Sequence, residues 1–170
     1  GPERATSVLL TPGHFDGQGV EMVHETFMGR AIQHACAASK RGEVPVGAVL
    51  VDGNGKEIAA DGNRVEERCD PTAHAEMLVL RAAAEKLGTP RLPGCDLYVT
   101  LEPCPMCAQA ISFARLRRLY FGASDLKGGG IENGPRLFAQ STCHHHPEVF
   151  GGIDEVRASD LLRNFFLARR

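Results

Sequence analysis

The sequence predicts an α/β fold, one domain built on a mixed sheet, and three observations carry that prediction. A β-branched apolar run at 44–51 (VPVGAVLV) is followed by Asp52-Gly53-Asn54-Gly55, a turn signal that implies a hairpin and an antiparallel pair. Two more apolar runs, at 96–100 (DLYVT) and 118–122 (RLYFG), flank a helical segment. Strand, helix and strand at this spacing imply a parallel pair joined by a right-handed crossover. Finally, 170 residues suffice for one domain with a sizeable core and allow two at most.

Each element has a local reason. Residues 1–19 carry Gly and Pro throughout and no sustained periodicity, so they read as a flexible extension, with Gly1-Pro2 as a tag-cleavage scar. The folded domain is read as 20–170. Val20, Val23, Phe27, Ala31 and Ala35 recur at helical spacing with Met28, Ile32 and Cys36 as a second row, and Gly42 stops that helix. After the run at 44–51, residues 56–61 return as its hairpin partner. A helix follows at 73–86 with Thr72 as its expected N-cap. The crossover helix spans 104–116 and is opened by Pro105, which suits the first helical turn. Lys127-Gly128-Gly129-Gly130 begins a long polar loop, and a last helix, 154–170, carries the stripe Leu161, Leu162, Phe165 and Phe166.

Composition excludes several classes. The chain is 43% hydrophobic and 24% charged, with 19 Lys+Arg against 21 Asp+Glu for a net charge of −2. So balanced a chain has no global electrostatic footprint for nucleic acid, and any such contact is local. No apolar run approaches the roughly 20 residues needed to span a bilayer, and no signal-peptide pattern is read at the start. The six cysteines, Cys36, Cys69, Cys95, Cys104, Cys107 and Cys143, are too sparse for a disulfide scaffold. One close pair among them points to metal or redox chemistry in a reducing, cytoplasmic setting.

Two segments carry the chemistry: His74-Ala75-Glu76 and, thirty residues after the histidine, Pro103-Cys104-Pro105-Met106-Cys107. Cys104 and Cys107 are three apart at a helix start, so both sulfurs can face one point. The positive end of that helix favours the thiolates a metal needs. With the imidazole of His74 they make three ligands for one Zn²⁺ per chain, which leaves a tetrahedral ion one open position for water. Glu76 stands two residues from His74, placed to move that water's protons without binding the metal. A lone C-x-x-C is equally a redox or structural-zinc motif, and a lone H-x-E is weaker still. Together, H-x-E followed by P-C-x-x-C is the signature of zinc deaminases, for which the bacterial tRNA adenosine deaminase is itself a standard example.

VPVGAVLV, Asn63-Arg64, DPTAHAE, LYVTLEPCPMCAQAI, FGASDLKGG and the terminal FFLARR resemble the bacterial tRNA-specific adenosine deaminases, over about residues 20–170. The resemblance implies a cytidine deaminase-like α/β/α sandwich with a mixed five-stranded sheet. It also implies a homodimer and conversion of the wobble adenosine of an arginine tRNA to inosine, with the tRNA anticodon stem-loop as partner. It gives His74, Cys104 and Cys107 as zinc ligands and Glu76 as general acid/base. It gives Asn63 as a hydrogen-bond partner of the base, Asp125 as an acid beside the ribose, Val46 and Pro45 as pocket wall, and Ala75 as a backbone donor. Against these stand plainer roles: strand and core for Val46 and Pro45, a turn residue for Asn63, a solvated loop acid for Asp125.

Other features are less specific. Cys143-His144-His145-His146 matches no zinc spacing and reads as a surface loop or RNA contact. Cys36 and Cys95 read as small buried hydrophobes. Arg163, Arg169 and Arg170 are either a solvated face or a phosphate-contacting edge, and Arg115, Arg117 and Arg118 suit RNA or a dimer interface. Two rival functions remain: a small-molecule guanine, cytosine or nucleoside deaminase, and a noncatalytic zinc-containing RNA-binding subunit. Glu76 argues against the second.

Overall fold

The structure, a computed structural model, describes residues 26–169. The extension at 1–19, the first turn of the expected helix (Val20 and Val23) and Arg170 lie outside the described residues.

Five strands and five helices follow in the order α1 (Phe27–Lys40), β1 (Gly47–Val51), β2 (Glu57–Gly62), α2 (Val65–Arg68), α3 (Ala75–Leu87), β3 (Asp96–Leu101), α4 (Pro105–Phe113), β4 (Arg118–Ala123), β5 (Glu148–Phe150) and α5 (Glu155–Leu167). The strands form one sheet in the order β2-β1-β3-β4-β5. β1 runs antiparallel to β2 and to β3, whereas β3, β4 and β5 are parallel, so the sheet is mixed as expected.

Alternation along the strands builds two cores. Val49, Val51, Tyr98 and Tyr120 face Phe27, Met28, Ala31 and Ile32 of α1, with Leu161 of α5 beside them. On the other face, Leu50, Leu97, Val99, Leu119 and Phe121 pack against Val79 and Ala83 of α3 and Ala108 and Ile111 of α4. Because successive side chains of a strand point to opposite faces, two apolar faces require helices on both sides, which gives the α/β/α sandwich.

The differences from the sequence reading are local. His74, not Thr72, is the N-cap of α3. The Thr72 hydroxyl and N–H both donate to Asp70 Oδ1, a turn that holds the chain extended for two further residues. Helix α4 ends at Phe113 rather than 116, because Arg115 takes a left-handed φ of 60°. The long loop holds a fifth strand and a 3₁₀ turn at Leu137–Ala139. Cys95 is buried as expected, but Cys36 is only half-buried. Phe165 packs into the fold while Phe166 is exposed, so the α5 stripe is narrower than read.

Candidate active site

Parallel strands joined by helices leave a crevice beyond their carboxyl ends, and the signature residues collect there. The chain leaves β3 at Leu101, reaches Cys104 within three residues, and starts α4 at Pro105. Cys104 and His74 are the N-caps of α4 and α3, and neither side chain caps its own helix. Both turn instead towards a common point. The Sγ atoms of Cys104 and Cys107 each lie 3.6 Å from His74 Nδ1. One ligand atom from each of the three residues falls within 4.8 Å of the others. Among the described residues this is the one cluster able to hold a metal ion.

The electrostatics fit a cation. The Cys107 thiol and His74 both donate towards Cys104 and, against the opposing effect of burial, bring Cys104 down to about 4. Cys107 is pushed up by its partner sulfur and by burial, because two adjacent thiolates repel. His74 is raised by the Cys104 sulfur. A divalent ion would replace the shared protons and let both sulfurs ionise, and two thiolates with an imidazole are a donor set suited to zinc. Glu76, in the first turn of α3, is buried, and desolvation raises its carboxyl above the ordinary range.

His74, Glu76 and Cys104 border a cavity of about 600 Å³ whose lining also includes Val46, Asn63 and Asp125. Asn63 is fixed on three sides. Its N–H donates to the Val46 carbonyl, its own carbonyl accepts from Arg41, and its Oδ1 accepts from the Ala75 N–H at 2.8 Å. The last bond engages the Ala75 N–H inside the protein and takes up Oδ1 of Asn63, not Nδ2. Pro45 is buried behind the wall that Val46 provides and does not border the cavity. Asp125 borders the mouth. Its Oδ1 accepts from the N–H groups of Lys127 and Gly128.

The structure also brings in residues the motifs did not flag. Glu43 borders the cavity and accepts from the N–H groups of Glu66 and Glu67, which anchors α2. Glu102, buried between β3 and Cys104, collects the amides of the loop after Asp125. Those donors hold its carboxyl below the ordinary range although burial pushes it up. The signal was an acid at a strand end; the amides of Gly128, Gly129 and Gly130 go elsewhere, to Asp125 and the Pro103 carbonyl. Arg117 pairs with Asp96 at 2.8 Å and Arg118 with Glu148 at 3.6 Å, at the amino ends of the strands and away from the cavity. The 143–146 loop is tied to the end of α4: Ser112 Oγ donates to the His145 carbonyl, and His145 Nε2 meets the Leu116 carbonyl at 2.8 Å. Arg169 lies over the Phe165 ring, 3.5 Å from its centroid, at the cavity edge.

The family model of the cytidine and deoxycytidylate deaminase zinc-binding region matches residues 21–123. The chain is 58% identical over 144 residues to the tRNA-specific adenosine deaminase of Agrobacterium fabrum, covering 85% of this chain and 94% of that protein. It is 46% identical over 142 residues to the tRNA-specific adenosine deaminase of Bacillus subtilis, covering 84% of this chain and 88% of that one. A solved structure from a study of A-to-I editing by tRNA:A34 deaminases at the wobble position of transfer RNA superposes with a TM-score of 0.79. It is 58% identical and covers 80% of this chain and 98% of the other. Among the described residues no helix is long and apolar enough to cross a membrane.

Proposed function

The chain belongs to the tRNA-specific adenosine deaminases of the zinc-binding cytidine and deoxycytidylate deaminase family, and from that premise we propose how its residues carry out the reaction. It deaminates adenosine in tRNA to inosine, and its cofactor is zinc. Its substrate is the wobble adenosine of an arginine anticodon stem-loop, and it works as a homodimer in the cytoplasm. The observation that carries this reading is the convergence of His74, Cys104 and Cys107 within 4.8 Å at one cavity with the buried Glu76.

His74, Cys104 and Cys107 hold the zinc. Bound there, the ion would supply Lewis acidity, making a water acidic near neutral pH. Water adds at C6 of the adenine and ammonia leaves. Glu76 carries the protons for that exchange: its carboxylate accepts one from the water and delivers it to N1, then takes the second from the added hydroxyl and passes it to the departing amine. Burial suits it to the task, because a carboxyl raised above its ordinary range holds a proton closer to working pH. Asn63, with Oδ1 committed to Ala75, presents Nδ2 to an acceptor on the base. Val46 supports the ring, and Asp125 Oδ2 accepts from the ribose 2′-hydroxyl. Anticodon-loop bases are already unpaired, so bringing one into the cavity costs little.

The test is to incubate the zinc-loaded protein with an anticodon stem-loop and, separately, with free guanine, cytosine and adenosine, following inosine and ammonia. Inosine at the wobble position with little release from free bases is the expected result. Ammonia from a free base at rates above those on the stem-loop would overturn it.

A further inference from the structure

The carboxylate of Glu102 is filled to capacity. Oε1 accepts from the Asp125 N–H at 3.1 Å and from Asn133 Nδ2 at 2.7 Å. Oε2 accepts from the N–H groups of Ile131, Glu132 and Asn133 at 3.0 to 3.2 Å. A carboxylate offers about four lone-pair sites, so five donors leave nothing for a substrate or a proton in flight. Although Glu102 borders the cavity, it does no chemistry there.

What it joins is specific. On one side, Glu102 is two residues from Cys104, and its own N–H donates to the Ala123 carbonyl at the end of β4. On the other, its five donors all belong to the loop from Asp125 to Asn133. The same stretch is tied a second time, by the Gly130 N–H to the Pro103 carbonyl at 2.8 Å. Close approach is possible because two loop residues lack side chains. A Cβ on Gly129 would run into Glu102 Oε2, and one on Gly130 would stand 2.6 Å from the Pro105 nitrogen. Leu126 and Lys127 of this loop are exposed, and Ile131 is its one apolar side chain in the core. The carboxylate adds a polar anchor to that single apolar one.

We propose that Glu102 is a positioning residue for RNA recognition: it locks the 125–133 loop onto the Cys104 turn and thereby sets Asp125 at a fixed place beside the metal site. This rests on the reading of Asp125 as the ribose acceptor. Both ends of the substrate nucleotide, the base over Glu76 and the ribose at Asp125, are then gauged from the three residues Glu102, Pro103 and Cys104. Glu102 acts through Asp125, so the two must be energetically coupled.

The experiment is a double-mutant cycle of Glu102→Gln and Asp125→Asn in the zinc-loaded protein, with kcat and KM measured on matched RNA and DNA hairpins. Glu102→Gln keeps the shape but sets an amide group against the loop donors. It should raise KM on RNA about tenfold with kcat changed less than about threefold, keep one zinc per chain, and narrow the RNA preference over DNA. In the Asp125→Asn background the same substitution should change KM less than about twofold. Gly129→Ala, which pushes the loop off the carboxylate, should reproduce the Glu102→Gln pattern. If Glu102→Gln is not recovered folded, Glu102→Asp, which keeps the charge with a shorter reach, takes its place in the cycle with the same expected non-additivity. Penalties that are equal in both backgrounds, or a fall in kcat at constant KM, overturn the proposal. A wild-type protein that makes no inosine on RNA overturns the reading beneath it, and this proposal with it; an active wild type with additive penalties overturns the proposal alone.

Discussion

Glu76 and Glu102 border the same cavity and are equally buried, 4% and 2% exposed, yet their surroundings push them in opposite directions. At Glu76 desolvation dominates and the carboxyl rises. At Glu102 burial is outweighed by the donors of Asp125, Asn133, Ile131 and Glu132, and the carboxyl falls. Burial therefore does not decide what a carboxylate can do; the count of donors around it does. The acid in the first turn of α3 stands among groups that change charge, and it keeps capacity to take and give a proton. The acid after β3 stands among fixed backbone amides and holds a loop. One region is set up for reaction and the other for position.

The largest effect should come from the metal cluster. Cys107→Ala would leave two ligands and should abolish stoichiometric zinc and all detectable deamination, and lower thermal stability, because an ion held by His74, Cys104 and Cys107 would join the starts of α3 and α4. Metal analysis after dialysis against a chelator checks this; a variant that keeps one zinc per chain removes Cys107 from the ligand set. Next comes Glu76→Ala. Zinc content and RNA binding should be unchanged while kcat falls about 10²- to 10⁴-fold, the usual contribution of a positioned proton carrier. Comparable rates in this variant would mean that a different group moves the protons and that the contrast with Glu102 has no chemical meaning.

The reactive region was readable in the sequence and the positional one was not, for a physical reason. Metal ligands at a helix start have fixed spacing, so His74-Ala75-Glu76 and the Cys104/Cys107 pair show as patterns, and apolar runs with one turn signal show four of the five strands. Glu102 works by receiving backbone amides from residues 23 to 31 positions away, and no periodicity encodes that. Strand β5 escaped because it is three residues long, and its place is set by backbone bonds to β4 across a non-local pairing. Helix α2 has four residues, and its start is anchored by Glu43 from a distant loop. Thr72 resembled a cap by type, but its hydroxyl had a nearer acceptor in Asp70.

Asp125 tests the link between the two regions. A carboxylate beside a polyanionic strand is unfavourable unless a donor compensates it, and the ribose 2′-hydroxyl is the donor that distinguishes RNA from DNA. With deoxyribose the desolvated oxygen is left unpaired, at a cost of roughly 1–3 kcal/mol, or about five- to 150-fold in kcat/KM. Asp125→Asn removes the charge and adds donors, so activity on single-stranded DNA should rise relative to RNA by a factor in that range. The ratio of kcat/KM on matched hairpins reads it directly, and an unchanged ratio makes Asp125 a solvated loop acid.

The smallest effect is on stability, and its pH dependence separates the two glutamates. Glu102 is held below the ordinary carboxyl value of 4.5 in the folded protein, whereas in the unfolded chain its amide donors are gone. A depressed folded value means that the ionised form stabilises the fold. That contribution is complete above about pH 5 and is lost as the pH falls through the folded value. Glu102→Gln, which cannot ionise, should therefore be less stable than the wild type by about 1–3 kcal/mol at neutral pH, the cost of leaving buried donors poorly matched. The difference should shrink below pH 4.5 and close once the wild-type carboxylate is protonated. Loss of zinc in acid affects both proteins and cancels in the comparison. In the zinc-free protein Glu76→Gln should behave in the opposite sense: replacing a carboxylate raised by desolvation removes a penalty present only at higher pH, so that variant gains on the zinc-free wild type as the pH rises. Denaturant midpoints across pH 3.5 to 7.5 decide it: two variants with parallel profiles would mean that the donors around Glu102 do not distinguish it from Glu76.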